Sequence, residues 1–273
     1  MAKGNLILGT GHGSIGDVTM MRRNGAEVAR VRLRKIKNPK SQGQAEQRMY
    51  MAPILKFYSP LAKVLETSFE GMNKADSYAK FISVNANLAR ANGWAVNKGA
   101  GFIPLPYQIA GGTLPQAEYG EGDNMIYLHV DGLQQSASTL GALSTALVAN
   151  YGLQNGDQVT FIVAQSNGET IIPSAFRFFI DTTSTDTLES MNLSVTIANG
   201  LYYEGQNDVI AIAVIFSRWE NNAWRRSNTF VKVKETFIQL HKGTENLAAA
   251  IASYMKGAGQ VPVSDVYLNG SDE

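Results

Sequence analysis

Three groups of residues in this chain have types and spacings that could do chemistry. The first is Gly11-His12-Gly13-Ser14-Ile15-Gly16. It has the G-x-G-x-x-G spacing with which a strand-to-helix turn presents backbone N–H groups to a pyrophosphate. The residues that follow, Asp17 to Arg23, read as a strand rather than a helix, and Ile36-Lys37-Asn38 stands where the ribose-binding acid would fall. These glycines are therefore read as turn and close-contact residues. Ser14 beside His12 offers a hydroxyl and a base, but the G-x-S-x-G elbow fails at His12, and two positions apart on one strand make no triad. The other histidines are His129 and His241, and there is no cysteine, which excludes a thiolate nucleophile and a Cys-based zinc site. Asp181, Asp186, Glu189 and Asp208 lie in or beside turns and read as solvated acids. No catalytic residue, cofactor or metal is assigned, and the chain is read as a non-enzyme.

The second group is basic. Residues 1–48 hold ten Lys/Arg and three Asp/Glu, a net of +7, whereas the rest hold fourteen and twenty, a net of −6. Val28, Arg30, Arg32 and Arg34 alternate with Ala29, Val31 and Leu33, which puts a row of guanidinium groups on one face of a strand. Arg22, Arg23, Lys35, Lys37, Lys40 and Arg48 extend the patch. Clustered cations can neutralise phosphates, or pair with carboxylates across a protein interface. Residues 1–48 contain no Phe, Tyr or Trp on which a base could stack. The nine basic residues are therefore candidate interface residues, with another protein chain as the expected partner and nucleic acid as the alternative.

The third group is aromatic. Phe216, Trp219, Trp224 and Phe230 surround Arg218, Arg225 and Arg226, and read as a hairpin of residues 211–218 and 223–233 with aromatics and arginines stacked on one face. Trp219 and Trp224 would be the platform if the chain were a carbohydrate- or surface-binding module.

The elements that must position these groups follow from periodicity and punctuation. The composition, 44% hydrophobic and 17% charged, is that of a globular chain of one large or two modest domains. No run of 18 apolar residues could cross a bilayer. The first residues lack the apolar core of a secretory leader, and folding in a reducing cytoplasm is the expectation. Asn24-Gly25 between two apolar runs predicts a tight hairpin of 17–23 with 26–34. Residues 44–65 have helical spacing, with Ser41 as cap, but Pro53 and Pro60 predict two short helices. Asn73 caps a second helix, 74–91, with Tyr78, Phe81, Ile82, Asn85 and Leu88 on one stripe. The Gly- and Pro-rich residues 99–123 read as a linker. Beyond it, short strands at 125–130, 158–164, 175–180, 191–197, 209–216 and 229–233, with a helix at 140–151, predict an antiparallel sandwich or barrel. A short helix at 245–255 and an extended tail close the chain. The expected fold is α+β: an N-terminal β-hairpin and helices (1–98), the linker, an antiparallel β-sandwich-like domain (124–240), and a C-terminal helix and tail (241–273).

Gly13-Ser14-Ile15-Gly16, Asn24-Gly25, Arg30, Asn38-Pro39, Ser41, Gln44 and Arg48 together fit the form G-x-x-G … N-G … R … N-P-x-[ST]-x-x-Q-x-x-x-R. In this the chain resembles a family of uncharacterised proteins common in Bacteroidota and their phages, including crAss-like phages. Gly112-Thr113-Leu114-Pro115, Asn155-Gly156-Asp157, Ser217-Arg218 and Trp224-Arg225-Arg226-Ser227 resemble further elements of it, so that the similarity spans about residues 5–235. The resemblance implies a helical and hairpin part joined to a sandwich-like part, and a structural component of the phage particle. The expected function is protein–protein assembly within a virion put together in the host cytoplasm, with copies of the chain and other virion proteins as partners. A nucleic-acid-binding or packaging protein and a carbohydrate-binding module are the alternatives.

Overall fold

A computed structural model describes residues 3–5, 10–15, 17–23, 26–31, 42–91, 102, 104–122, 125–168, 170–196, 200–205 and 207–237. Contacts divide the chain between Ser41 and Gln42 into two compact units.

In the first unit, β1 (Lys3–Asn5), β2 (Thr10–Ile15), β3 (Val18–Arg23) and β4 (Ala26–Val31) form an antiparallel sheet in that order. Arg23 pairs with Ala26, so Asn24 and Gly25 are the whole connection, as the hairpin reading requires; the two residues themselves lie outside the described ones. Gly13, opposite Met20 in the β2–β3 ladder, has φ of +116°, which an L side chain rarely adopts. Val18 lies opposite Val31 and Met20 opposite Ala29, so these four share one face of the sheet. Met21 opposite Val28 and Thr19 opposite Arg30 share the other.

The second unit begins with α1 (Gln42–Leu65), one continuous helix containing Pro53 and Pro60, where two short helices were expected. A proline inside a helix costs about 3 kcal/mol. Ile54, Phe57, Tyr58, Leu61 and Leu65 are all buried along the same helix, at about 1.5–3 kcal/mol for each large apolar side chain. That burial outweighs both prolines. α2 (Lys74–Ala91) starts as expected, with Asn73 Oδ1 accepting from the N–H groups of Ala75 and Asp76 at 2.9 and 3.0 Å. Of its predicted stripe, Phe81 and Asn85 are buried. Tyr78 is partly exposed and meets Tyr58 edge to face at 4.9 Å.

The strands follow: β5 (Gln108–Ala110), β6 (Tyr119–Gly122), β7 (Met125–His129), then helix α3 (Leu140–Tyr151), β8 (Gln158–Ser166), β9 (Ile171–Phe179), β10 (Leu193–Val195), β11 (Gly200–Tyr203), β12 (Asp208–Glu220), β13 (Ala223–Arg226), β14 (Thr229–Phe230) and β15 (Lys232–Val233). One antiparallel sheet runs β10-β11-β7-β6; the larger runs β13-β12-β8-β9, with β15 also on β12, and β14 pairs with β5. Alternation on the two longest ladders builds two cores. Val159, Phe161 and Val163 of β8 with Ile212, Val214 and Phe216 of β12 meet Ile126, Leu128, Leu193 and Leu201 of the smaller sheet and Leu143 and Leu147 of α3. The alternate residues, Ile162, Ala164, Ala213 and Ile215, meet Phe57 and Leu61 of α1. The unit is α+β with sandwich-like packing of antiparallel sheets.

The boundaries differ from those expected. Residues 99–123 are not only a connection: Leu105, Tyr107, Ile109 and Ala110 are fully buried, and the segment carries β5 and β6. Gly and Pro mark its turns, but the period-two run Leu105, Tyr107, Ile109 between them was the stronger signal. The Asn85 amide fixes it to α2, donating to Gln108 O at 2.8 Å and accepting from Gln108 N–H at 2.9 Å. Helices α1 and α2 thereby share a core with the sheet they were expected to precede. Residues 241–273, with the helix expected at 245–255, lie outside the described residues.

Candidate interaction surfaces

The aromatic–arginine stretch is a hairpin, as expected, but its aromatics and arginines do not share one face. Strand alternation puts Arg218, Arg225 and Phe216 opposite Trp219, Trp224 and Arg226. β12 and β13 pair from Ser217↔Arg226 to Glu220↔Ala223. The two connecting residues, Asn221 and Asn222, have φ of 51° and 62°, the left-handed pair a two-residue hairpin turn needs and Asn tolerates. Between β13 and β15 the edge of β12 lacks a strand partner, and side chains take its place. Ser227 Oγ accepts from Phe216 N–H at 2.9 Å, Tyr119 Oη from Val214 N–H at 2.8 Å, and Thr229 Oγ1 donates to Val214 O at 3.2 Å. No buried backbone group of that stretch need go unpaired.

Three stretches separated in sequence converge on this hairpin. From 155–157, Asp157, 4% exposed, takes Arg218 in a two-pronged pair, with Nε to Oδ1 at 3.0 Å and Nη2 to Oδ2 at 2.7 Å. From 112–115, Thr113 donates to Glu70 through its N–H at 2.9 Å and its Oγ1 at 3.0 Å. Gly112 lies so close to the hairpin that a Cβ there would stand 2.2 Å from Arg226 O. Glu70 also meets Arg225 at 3.7 Å, and Arg225 meets Glu220 at 3.0 Å. Burial alone would raise the Glu70 carboxyl, but the Thr113 and Arg226 N–H donors and the Arg225 charge hold it below its ordinary value.

Arg226 differs from its two neighbours. It is 9% exposed, donates from Nε and Nη2 to Thr67 O and Oγ1 at 3.1 Å and from Nη1 to Ser217 Oγ, and its guanidinium lies 4.8 Å from the Trp224 ring centroid. Burial first, and then the charge of Arg177, pushes its pKa down to about 10. By strand alternation Trp219, Trp224, Arg226 and Ser217 share the face opposite the sandwich core. Through the pairing of Gln158 with both Ser217 and Phe179, so do Phe179 and Arg177 of β9. The indoles of Trp219 and Trp224 meet edge to face at 5.2 Å and 67°. They are not coplanar, so they make no single flat platform.

Four of the nine basic candidates lie among the described residues. Arg30 is exposed on β4, and Arg22 and Arg23 belong to β3. Arg48 is exposed on α1, in the other unit. Arg32, Arg34, Lys35, Lys37 and Lys40 lie outside the described residues. Counted by unit, residues 1–41 hold nine Lys/Arg and two Asp/Glu, a net of +7, and residues 42–273 hold fifteen and twenty-one, a net of −6. Of the other candidate groups, the glycine run continues into strand β3, without the helix a pyrophosphate site requires. Ser14 Oγ lies 3.1 Å from Thr19 Oγ1. His129 Nε2 meets Asp131 at 2.9 Å, and Asp181 accepts from Thr183 N–H at 2.9 Å. Asp208 is exposed, as expected, and also pairs at 2.5 Å with Lys234, which is only 3% exposed. Nothing in the spacing signalled that pair.

Residues 10–98 match the model of a family of unknown function (DUF6266), over a stretch that runs from β2 through α2. No curated protein and no solved structure matches the chain.

Proposed function

We propose that the chain is a structural protein that works by protein–protein assembly, joining copies of itself and neighbouring proteins within a particle. On the phage resemblance that particle is a virion, assembled in the host cytoplasm. The observation that carries the reading is the first unit. Its sheet pairs Val18 with Val31 on one face, yet these are 39% and 71% exposed, with Val28 40% exposed on the other. A small sheet needs a covered apolar face to be stable in water. Charge supplies the direction of attachment, since a unit of +7 and a unit of −6 in every copy favour contact between the unlike units of neighbours.

The test replaces Arg30, Arg32 and Arg34 together by Gln in the full chain. Assembly through carboxylates of neighbours predicts that the wild type associates in sedimentation at low salt, that the variant does so less, and that mass spectrometry of purified particles finds the variant depleted. A wild-type protein that stays monomeric at every salt concentration and is absent from particles rejects the proposal. So does tight nucleic-acid binding whose log–log salt slope falls by up to about three in the variant.

A further inference from the structure

The β12–β13 hairpin ends in a surface that its own contacts leave incomplete. Phe179, Trp219 and Trp224 are 56%, 57% and 37% exposed on one face at one end of the larger sheet. Scattered exposed apolar residues need no explanation, but three large rings together form a patch. The same face carries a charge imbalance. On the opposite face of the two strands, Arg218 has Asp157, and Arg225 has Glu220 and Glu70. Among the described residues no carboxylate forms an ion pair with Arg226 or Arg177, and the Arg177 charge works against that of Arg226.

Arg226 is nevertheless held in place by Thr67 and Ser217 over the Trp224 ring. A guanidinium already fixed loses little freedom on taking a carboxylate. Tryptophan and arginine are the residues in which binding energy concentrates at protein interfaces. The island of positive charge sits in a unit of net −6, which opposes the long-range approach of a polyanion such as nucleic acid. A short segment that alternates acids with apolar residues carries fewer charges and so meets a smaller barrier, and an extended chain puts the two kinds of side chain on opposite sides.

We propose that this surface docks an extended acidic segment of a partner protein, with a carboxylate held between Arg226 and Arg177 and an apolar neighbour packed on Trp219 and Trp224. The inference is independent of the N-terminal sheet and is tested separately from it.

The probes are twelve-residue synthetic peptides alternating Asp or Glu with Leu, Val or Phe, and their Asn and Gln counterparts. They are titrated into the full-length protein by calorimetry and by tryptophan fluorescence. The acidic peptides should bind about tenfold more tightly than the amides, a difference of about 1.4 kcal/mol. Trp219→Ala and Arg177→Gln, both at exposed positions, should each remove at least about fivefold of that affinity with the melting temperature unchanged. Arg226→Lys, which keeps the charge but not the fork, serves as a third variant. Equal binding of acidic and amide peptides overturns the proposal, as does acidic-peptide binding that survives both surface substitutions. A single-stranded oligonucleotide that binds more tightly than the peptides and is lost in the same variants assigns the surface to nucleic acid instead. Concentration-dependent dimers of the wild type abolished by Trp219→Ala assign it to a second copy.

Discussion

The two sheets that dominate the described residues are both antiparallel, yet they are finished differently. The larger sheet of the second unit is covered on both faces along the middle of its two central strands: alternate residues of β8 and β12 enter two separate cores, one shared with the smaller sheet and α3, the other with α1. The four strands of the first unit carry the same kind of alternation without the same outcome, since Val18, Val28 and Val31 remain exposed. Periodicity shows which side chains share a face. Whether that face is covered depends on whether other elements exist to cover it. The second unit holds helices and a second sheet for that purpose, and the described residues of the first are those of its four strands and Asp17.

That contrast makes the largest expected effect a core one. Phe161, fully buried and stacked on Phe176 at 5.2 Å, should lose about 3–5 kcal/mol of stability on replacement by Ala, read by chemical denaturation. Asp157→Ala comes next. It leaves Arg218, 17% exposed at its side chain, without its carboxylate. Breaking a buried pair from one side costs about 3–5 kcal/mol, and the partial exposure of the arginine places the expected loss at the lower end of that range. A loss below about 1 kcal/mol would show that the pair stiffens the hairpin without stabilising the unit.

Much of this arrangement was legible beforehand, and the failures share a cause. α3 was read with the bounds it has, because an apolar helical run closed by Gly152 competes with no other signal. Asn73 and Asn24-Gly25 were legible because capping and turn chemistry are local. α1 was misread because the gain that overrides two prolines lies in tertiary burial. The segment 99–123 was misread because its Gly and Pro residues were weighed above the apolar residues between them. The candidate surface was half legible: the aromatics and arginines of the hairpin stood out, but Phe179 and Arg177 reach the same face only through the register of β9 on β8 and β8 on β12.

Acid sharpens the comparison at a smaller scale, because the second unit is also tied by carboxylates. Burial of Glu70 alone would raise its pKa, but its hydrogen bonds and Arg225 leave it below its ordinary value, and Glu121 is likewise lowered by its bonds to Lys232 and Glu235 against the effect of burial. A folded-state pKa below the unfolded one contributes stability above the unfolded value and loses it as pH falls through the folded value. Thermal melts taken from about pH 6 down to about pH 3 should therefore fall less steeply for Glu70→Gln than for the wild type. Parallel curves would mean that the carboxylate gains nothing from folding.

The smallest effect on stability, and the sharpest test of the contrast, belongs to Val31. At 71% exposure it has little apolar area removed from water within its own chain, so Val31→Ser should change the unfolding free energy by no more than about 0.5 kcal/mol. The same substitution on the core side of β8, Val163→Ser, creates a cavity and buries a hydroxyl, and should cost several times more. If the exposed face of the first sheet is where copies meet, Val31→Ser should still weaken association in sedimentation while leaving the melting curve of the monomer in place. A large loss of monomer stability would mean that Val31 is covered within the chain. An unchanged association constant, with stability unchanged as well, would move the contact between copies away from the face that Val31 shares with Val18.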